Sequence, residues 1–166
     1  MDHREHFAML AAYNEWANRR LVDGLASLSD SDWHADHGLF FKSVHMTFNH
    51  NLVVEMLWLG RLKGQPWKGK GLDDPQDATR AGLVDKLYAQ NKTTIALMRG
   101  LPDPLPARIQ YVTTDGKPMD MPLAPVLAHL FNHATHHRCQ VTAAAHRMGA
   151  MVQELDIPYF LHDRKL

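Results

Sequence analysis

Four long segments in which apolar residues recur at three- and four-residue steps constrain this chain more than any other feature of its sequence. This spacing predicts a helix with one apolar face, and several such helices bury those faces by packing together. The predicted helices cover residues 4–28, 42–63, 78–99 and 123–149. A length of 166 residues fits one domain. The sequence therefore predicts an all-α fold, a four-helix bundle, in a single domain over residues 1–166.

The ends of the second helix carry recognisable signals. Ser43 is the predicted N-cap, and Gly64 and Pro66 are expected to end the helix. Residues 64–77 are rich in glycine, proline and charge. They are long enough for a crossover connection between helices that do not form an immediate hairpin. The polar residues 29–38 are predicted to form the first connection of the bundle.

Residues 108–122 do not share the helical pattern. β-branched and aromatic residues favour a strand here, and Asp115–Gly116 is a tight-turn dipeptide. We therefore expect a small β-hairpin or an extended loop before the last helix. The C-terminal residues 152–166 carry aromatic side chains, and we expect them to pack back on the bundle.

The charge balance argues against several classes of partner. The chain has 18 basic and 18 acidic residues and a formal net charge of zero, which disfavours binding to nucleic acid or to an anionic membrane. No apolar stretch approaches the length of about 18 residues that spans a bilayer, and the charged N-terminus lacks the apolar core of a secretory signal. The single cysteine, Cys139, forms no internal disulfide. We expect a cytoplasmic protein.

Histidine is unusually frequent, with 12 copies, and it is the commonest protein ligand of transition metals. Residues four apart lie on the same face of a helix, which suits two ligands of one ion. Both His129 with His133 and His133 with His137 have this spacing. At about 100° per residue, His137 falls within the apolar stripe and His133 at its edge, whereas His129 and His136 lie further toward solvent. A site in the bundle core is therefore predicted to use His133 and His137.

The second predicted helix offers a third imidazole. His50 lies in the middle of an apolar stripe, whereas His45 lies about 140° away and is not expected to face the same core. A single inward histidine is more often a hydrogen-bonded core residue than a metal ligand. Three imidazoles that face one core would need three separate hydrogen-bonding solutions, and one metal ion satisfies all three. On the pattern alone, a metal site and ordinary core histidines are equally favoured.

Four segments resemble the DinB/YfiT-like family of metalloenzymes. They are YNEWANRRL (13–21), SVHMTFNHNLVVEMLWL (43–59), HLFNHATHHRCQ (129–140) and LDIPYF (155–160), in the family's order over nearly the whole chain. The NHATHHR element is the most specific. The resemblance implies an up-down-down-up bundle, homodimers, and a metal site made of a histidine on the second helix and an H-x-x-x-H pair on the last. Those positions match His50, His133 and His137.

Other polar residues lie near these histidines in the sequence. Glu55 is about 140° from His50 around the helix axis, and we interpret it as a solvated surface acid rather than a general base. Asn49, Asn132 and Arg138 are candidates for supporting the ligands. An exposed position on a helix surface is the favoured interpretation of these three residues. The catalytic residues therefore stay unassigned.

Cys139 stands where the family usually has glycine. We interpret it as a small residue packed against a neighbouring helix, which leaves close helix approach there in doubt, and we do not expect it to ligate the same ion. The four tryptophans are candidates for the walls of a substrate pocket, but core or interface positions are favoured. These residues are Trp16, Trp33, Trp58 and Trp67.

The predicted ligand set suits catalysis. Three neutral imidazoles leave at least one coordination position for water or substrate, whereas closed structural zinc sites usually have four protein ligands. Zinc and nickel suit imidazole best, and iron and manganese are also compatible. The resemblance points to enzymes that use a low-molecular-weight thiol, which predicts a metal-dependent S-transferase or isomerase acting on a small molecule. The alternatives are a metal-dependent hydrolase and a non-catalytic protein that binds metal for stability, sensing or a stress response.

Overall fold

A computed structural model describes residues 2–65 and 67–165, and within them it has six helices and one two-stranded antiparallel sheet. In chain order these elements are α1 (His3–Gly24), α2 (Asp30–His34), α3 (Val44–Leu62), α4 (Arg80–Arg99), β1 (Arg108–Val112), β2 (Pro118–Pro122), α5 (Leu123–Arg147) and α6 (Ile157–Arg164). The four long helices α1, α3, α4 and α5 confirm the predicted bundle. The hairpin of β1 and β2 stands immediately before the last long helix, as predicted.

The contacts between the long helices establish their directions. His45, near the start of α3, contacts the carbonyl oxygen of Asp77, which leads into α4. The middles of the same two helices meet where Asn91 donates to Glu55, so α3 and α4 are parallel. The guanidinium of Arg80, at the start of α4, donates to backbone carbonyls just beyond the end of α1. Helix α1 is therefore antiparallel to α4.

Two apolar clusters fill the two ends of the bundle. One joins the C-terminal halves of α1 and α5 to the N-terminal halves of α3 and α4, and includes Leu21, Leu25, Val44, Phe48, Leu83, Leu87, Val141 and Ala145. The other joins the opposite halves, and includes Phe7, Ala11, Val54, Trp58, Met98, Leu127 and Leu130. Helices α1 and α5 thus share one direction, which gives the up-down-down-up order. No helix among the described residues is long and apolar enough to cross a lipid bilayer.

The ends of α3 follow the sequence signals. The side chain of Ser43 accepts a hydrogen bond from the backbone N–H of Met46, which confirms the predicted N-cap. Gly64 has a φ of +64° just past the end of the helix, a conformation that costs glycine little because it has no Cβ. Pro66, the second predicted stop signal, lies outside the described residues.

The first connection differs from the prediction. Helix α1 ends at Gly24 rather than near residue 28, and the C-terminal segment passes so close that a Cβ on Gly24 would lie 3.0 Å from the Cα of Val152. The predicted connection also contains α2, which starts with a capping box between Ser29 and Asp32. Its Trp33 is fully buried. A one-turn helix held by a cap and one apolar anchor has no periodicity for the sequence to display.

The C-terminal segment packs on α1, as predicted. The buried ring of Phe160 on α6 lies 5.9 Å from the ring of Tyr13 and 5.8 Å from that of Trp16, centroid to centroid. Trp16 also donates its Nε1 hydrogen to Asp163 at 3.2 Å. These contacts cover one face of α1.

Candidate metal centre

Three imidazoles from α3 and α5 converge on one point. His50, His133 and His137 each offer a ring nitrogen, and these three nitrogens lie within 4.8 Å of one another. The Nε2 atoms of His50 and His133 are 3.2 Å apart. The structure thus brings together the three residues that the sequence singled out. His129 and His136 lie outside this group, on the exposed side of α5.

Hydrogen bonds orient two of the three rings. The Nδ1 atom of His50 lies 2.8 Å from the carbonyl oxygen of Leu72, in the crossover between α3 and α4. The Nδ1 atom of His137 lies 2.8 Å from Oε1 of Gln140. Because these oxygens only accept, each Nδ1 carries the hydrogen and each Nε2 keeps a free lone pair. Such partners are the usual support for histidine ligands of a metal.

The spacing of the nitrogens fits a bound cation. The Nε2 lone pair of His50 faces Nε2 of His133 at 3.2 Å. A proton between them would satisfy that one pair, whereas a cation satisfies all three imidazoles. A tetrahedral zinc ion with bonds of about 2.0–2.1 Å keeps two nitrogen ligands about 3.3 Å apart. The His50–His133 pair therefore matches the spacing around a divalent ion of this kind, and all three nitrogens lie within 4.8 Å of one another.

The surroundings keep these imidazoles neutral, which is the form that binds metal. Burial lowers the pKa of His133 to about 3, with further lowering by the neighbouring His137 and His50. Burial also lowers the pKa values of His50 and His137, and the bonds to Leu72 and Gln140 oppose that change. The ring of Phe41 stacks on His50 with centroids 3.9 Å apart, and it shields one side of the cluster from water.

Glu55 is not the surface acid that the sequence predicted. Its side chain is 5% exposed, and its carboxylate accepts hydrogen bonds from Asn91 Nδ2, at 3.0 Å, and from the hydroxyl of Thr94. Burial raises the pKa of Glu55 to about 7, although the bonds from Thr94 and Asn91 and the charge of Arg138 oppose this. The carboxylate belongs to the contact between α3 and α4, away from the three imidazoles.

Arg138 is also buried, and the predicted exposed position is wrong for it. Its guanidinium donates to the side-chain oxygens of Asn14 and Asn18 on α1 and to the hydroxyl of Thr135. The Asn18 amide in turn donates to Asn91, the partner of the buried carboxylate. A polar network therefore crosses all four long helices. The one sequence signal for this network is Asn14, a polar residue at a position where the apolar stripe of α1 repeats.

The predicted exposed position is also wrong for Asn49, which is buried, whereas Asn132 is exposed as expected. The buried Asn49 donates to the carbonyl oxygen of Asp74 at 3.0 Å and accepts from the N–H of Gln76 at 2.8 Å. It therefore fastens the crossover whose Leu72 carbonyl orients His50. Asn49 supports the site through the backbone rather than by touching the ligands.

The remaining candidates have mixed outcomes. Cys139 is exposed, so the predicted packing against a neighbouring helix is wrong, and it lies outside the histidine cluster. Trp33 and Trp58 are buried core residues, as favoured. Trp67 instead lines a cavity of about 450 Å³, and Gly71 lines the same cavity next to the crossover residue that orients His50.

Comparisons of the sequence and of the structure both find similar known proteins. The sequence model of the DinB family matches residues 1–165. Protein DinB of Bacillus subtilis (strain 168) is 21% identical over 157 residues, which cover 92% of this chain and 91% of that protein. A solved structure is described as "YfiT from Bacillus subtilis is a probable metal-dependent hydrolase with an unusual four-helix bundle topology". It matches with a TM-score of 0.68 and 19% identity over 89% of each chain, a similarity that shows the shared fold.

Proposed function

Since this chain belongs to the DinB family, we propose that it is a metal-dependent enzyme in which His50, His133 and His137 bind one divalent ion. The observation that carries this proposal is the convergence of three ring nitrogens, with two of the rings fixed by Nδ1 hydrogen bonds. Zinc or nickel is the proposed ion, because both suit imidazole, and iron and manganese are the alternatives.

The ligand set supports catalysis rather than a purely structural role. Three protein ligands leave a coordination position open, and a cavity lined in part by Gly71 lies beside the crossover residue that orients His50. When bound, the ion supplies Lewis acidity and lowers the pKa of a thiol or water molecule that occupies that position. The three neutral imidazoles add no negative charge, so the centre favours an anionic nucleophile.

We propose transfer or isomerisation that depends on a low-molecular-weight thiol as the reaction, because a thiolate is the kind of anion that such a centre stabilises. Hydrolysis is the second candidate, and the description of the YfiT structure as a probable metal-dependent hydrolase supports it. His129 is exposed, with its ring centroid 5.6 Å from that of His133. Its imidazole is therefore a candidate to carry a proton in either reaction.

Metal content tests the ligand assignment. Elemental analysis of gently purified protein should find about one divalent ion per chain, bound through three imidazoles. His133→Ala should lose most of this metal. The matched control is His146→Ala, because His146 is exposed on the same helix and lies outside the cluster. Full metal stoichiometry in His133→Ala would defeat the assignment.

A substrate panel separates the candidate reactions. Simple electrophiles are supplied with and without low-molecular-weight thiols, and activated esters are supplied alone. A product that forms only with thiol and is lost in His133→Ala supports transfer. Ester cleavage without thiol, lost in the same variant, supports hydrolysis. Metal-loaded protein with neither activity would favour the non-catalytic alternative of metal sensing or stability.

We also propose a homodimer, which rests on the family resemblance. Light scattering on the eluting protein should then give twice the chain mass of 18.9 kDa. A mass of one chain at micromolar concentration would contradict this proposal and leave the metal assignment unaffected.

A further inference from the structure

A cavity of about 450 Å³ lies between α3, the crossover and the β-hairpin. Leu57 and Arg61 of α3 form one wall, Trp67 and Lys70 of the crossover form another, and Tyr111 of β1 closes a third side. The two charged side chains in this lining are both basic. A cavity with aromatic walls and convergent cations suits a small molecule that has an apolar body and an anionic group.

Arg61 has no acidic partner within the described residues. No carboxylate oxygen there lies within ion-pair distance of its guanidinium, and its Nε atom is buried without a hydrogen-bond partner in the same part of the chain. Burial lowers the pKa of this guanidinium. A cation without a counter-charge is costly where burial reduces its contact with water, and a bound anion would supply that counter-charge.

Aromatic rings hold the Arg61 side chain in place. Its guanidinium carbon lies 4.5 Å from the ring centroid of Trp58 and 4.4 Å from that of Tyr111. Such stacking covers the faces of the planar group and leaves its terminal Nη edge, whose paired N–H groups match a carboxylate or phosphate. The geometry therefore presents a fixed donor rather than a mobile surface charge.

The position of the Trp67 ring in the cavity wall depends on a neighbouring glycine. A Cβ on Gly69 would overlap the indole ring of Trp67. Any larger residue at position 69 would therefore push the ring away, so the glycine gives the indole its place against the cavity.

Two features of the chain connect the cavity to the histidine cluster, although none of the three histidines lines the cavity. Gly71 lines the cavity, and the carbonyl of the next residue, Leu72, orients His50. Leu57 follows His50 by seven residues on α3, which places it on nearly the same helix face and about 10 Å along the axis. A small molecule anchored at the far end of the cavity can extend from there toward the imidazoles.

We propose that this cavity binds the anionic end, a carboxylate or phosphate, of the small-molecule substrate, with Arg61 as its specificity residue. Arg61 donates paired hydrogen bonds to the oxyanion, Lys70 adds positive charge, and the rings of Trp67 and Tyr111 pack on the apolar body. The link to a substrate rests on the proposed metal-dependent function, whereas the anion site itself needs no metal.

Calorimetric titration of the full-length protein with benzoate, phenyl phosphate and neutral benzyl alcohol tests the proposal. Each anion should bind more tightly than the alcohol, and Arg61→Met should weaken anion binding by about tenfold or more, as expected for loss of charge-assisted hydrogen bonds. Methionine keeps an apolar stem between the rings of Trp58 and Tyr111. A preference for benzoate assigns a carboxylate, and a preference for phenyl phosphate assigns a phosphate.

Arg99→Met is the matched control, because Arg99 is an exposed arginine at the end of α4 and outside the cavity lining. It should leave anion binding unchanged. The proposal is overturned if Arg61→Met binds both anions as tightly as the unmodified protein, or if the unmodified protein binds no anion better than benzyl alcohol.

A measurement on the unmodified protein keeps the proposal testable if Arg61→Met does not fold. Benzoate or phenyl phosphate should shift the backbone amide resonances of residues 57–71 and 110–114, and shifts confined to the histidine cluster would overturn the proposal. Anion binding should persist in His133→Ala. If His133→Ala keeps both anion binding and its metal, only the metal assignment is overturned. If Arg61→Met loses anion binding but keeps its metal, the metal assignment stands.

Discussion

At the residue scale, the three imidazoles are not held equally. His50 is fixed by the Leu72 carbonyl and His137 by the Gln140 side chain, each through Nδ1. His133 has one hydrogen-bond contact among the described residues, the Nε2 contact with His50. In the proposed metal site, the two fixed rings define the position of the ion, and His133 adjusts to it. Loss of a fixing partner should therefore weaken metal binding without removing a ligand.

Gln140→Ala tests this division of roles. The substitution frees the ring of His137, and such losses typically weaken metal affinity about 10- to 100-fold. Competition with a chelator of known affinity measures the change. Asn132→Ala is the matched control, because it also removes a carboxamide from α5, and Asn132 is exposed and lies outside the cluster. Equal affinities for Gln140→Ala and the unmodified protein would show that His137 needs no such support.

Glu55 predicts how stability depends on pH. Its pKa rises from 4.5 to about 7 on folding, mainly through burial. At this carboxyl the folded protein therefore binds one more proton between these two pH values, so the contribution of Glu55 to the free energy of unfolding is fully present below about pH 4.5 and is lost as pH rises to about 7, by about 3 kcal/mol in all. The lowered pKa of His133 acts in the opposite direction over the same interval, so the contribution of Glu55 is the difference between the pH profiles of the unmodified protein and Glu55→Gln. Glu55→Gln should remove this contribution, which urea unfolding at several pH values measures.

Glu154→Gln is the control for that experiment, because Glu154 is an exposed glutamate and should leave the pH profile unchanged. If the profiles of Glu55→Gln and the unmodified protein run parallel between about pH 5 and pH 7, Glu55 makes no such contribution. If the unmodified protein gains stability relative to Glu55→Gln as pH rises over this interval, the buried carboxylate is ionised in the folded protein.

The sequence predicted the three histidines, but it did not predict the buried polar network that contains Glu55 and Arg138, and the reason is physical. Each histidine lies in or beside the apolar stripe of its own helix, so the helical wheel of that one helix suffices to predict that it faces the core. The environment of Glu55 comes from Asn91 and Thr94 on α4, and that of Arg138 comes from α1. No wheel of a single helix contains the neighbours that bury them.

At the element scale, the crossover is fastened to one helix. Its backbone carbonyls contact the side chains of three residues of α3, and these are His45, Asn49 and His50. The length and composition of the crossover predicted a connection, but its attachment depends on backbone groups that carry no sequence signal. The same attachment orients His50, a proposed metal ligand, and forms one wall of the cavity, so both proposed sites depend on it.

Asn49→Ala should loosen this attachment. The substitution leaves the Gln76 N–H without its partner and removes one of the two hydrogen bonds that the Asp74 carbonyl accepts, which should cost about 2 kcal/mol of unfolding free energy. Hydrogen exchange should speed up in residues 72–77. Asn51→Ala is the control, because Asn51 is buried on the same helix and its Oδ1 has no hydrogen-bond partner among the described residues. A larger loss of stability in the control would contradict this account.

At the scale of the whole molecule, the three imidazoles are not members of the apolar clusters and the polar network that hold the helices together. Two apolar clusters fill the ends of the bundle, and the polar network of Arg138, Asn18 and Asn91 joins the helices between them. The three imidazoles lie to one side, between α3 and α5. Burial of each large core side chain contributes about 1.5–3 kcal/mol, so the core alone should hold the helices together.

Removal of the metal should therefore lower stability without unfolding the protein. With free metal at about 1,000 times its dissociation constant, binding adds about 4 kcal/mol, so a chelator should lower the melting temperature by about 10 °C. The far-ultraviolet circular dichroism spectrum at 25 °C should stay helical when the chelator is added to the unmodified protein. The spectrum of His133→Ala without chelator should be helical as well. Loss of the helical spectrum in both would mean that the ion holds the fold, which is the structural role that an open three-histidine centre argues against.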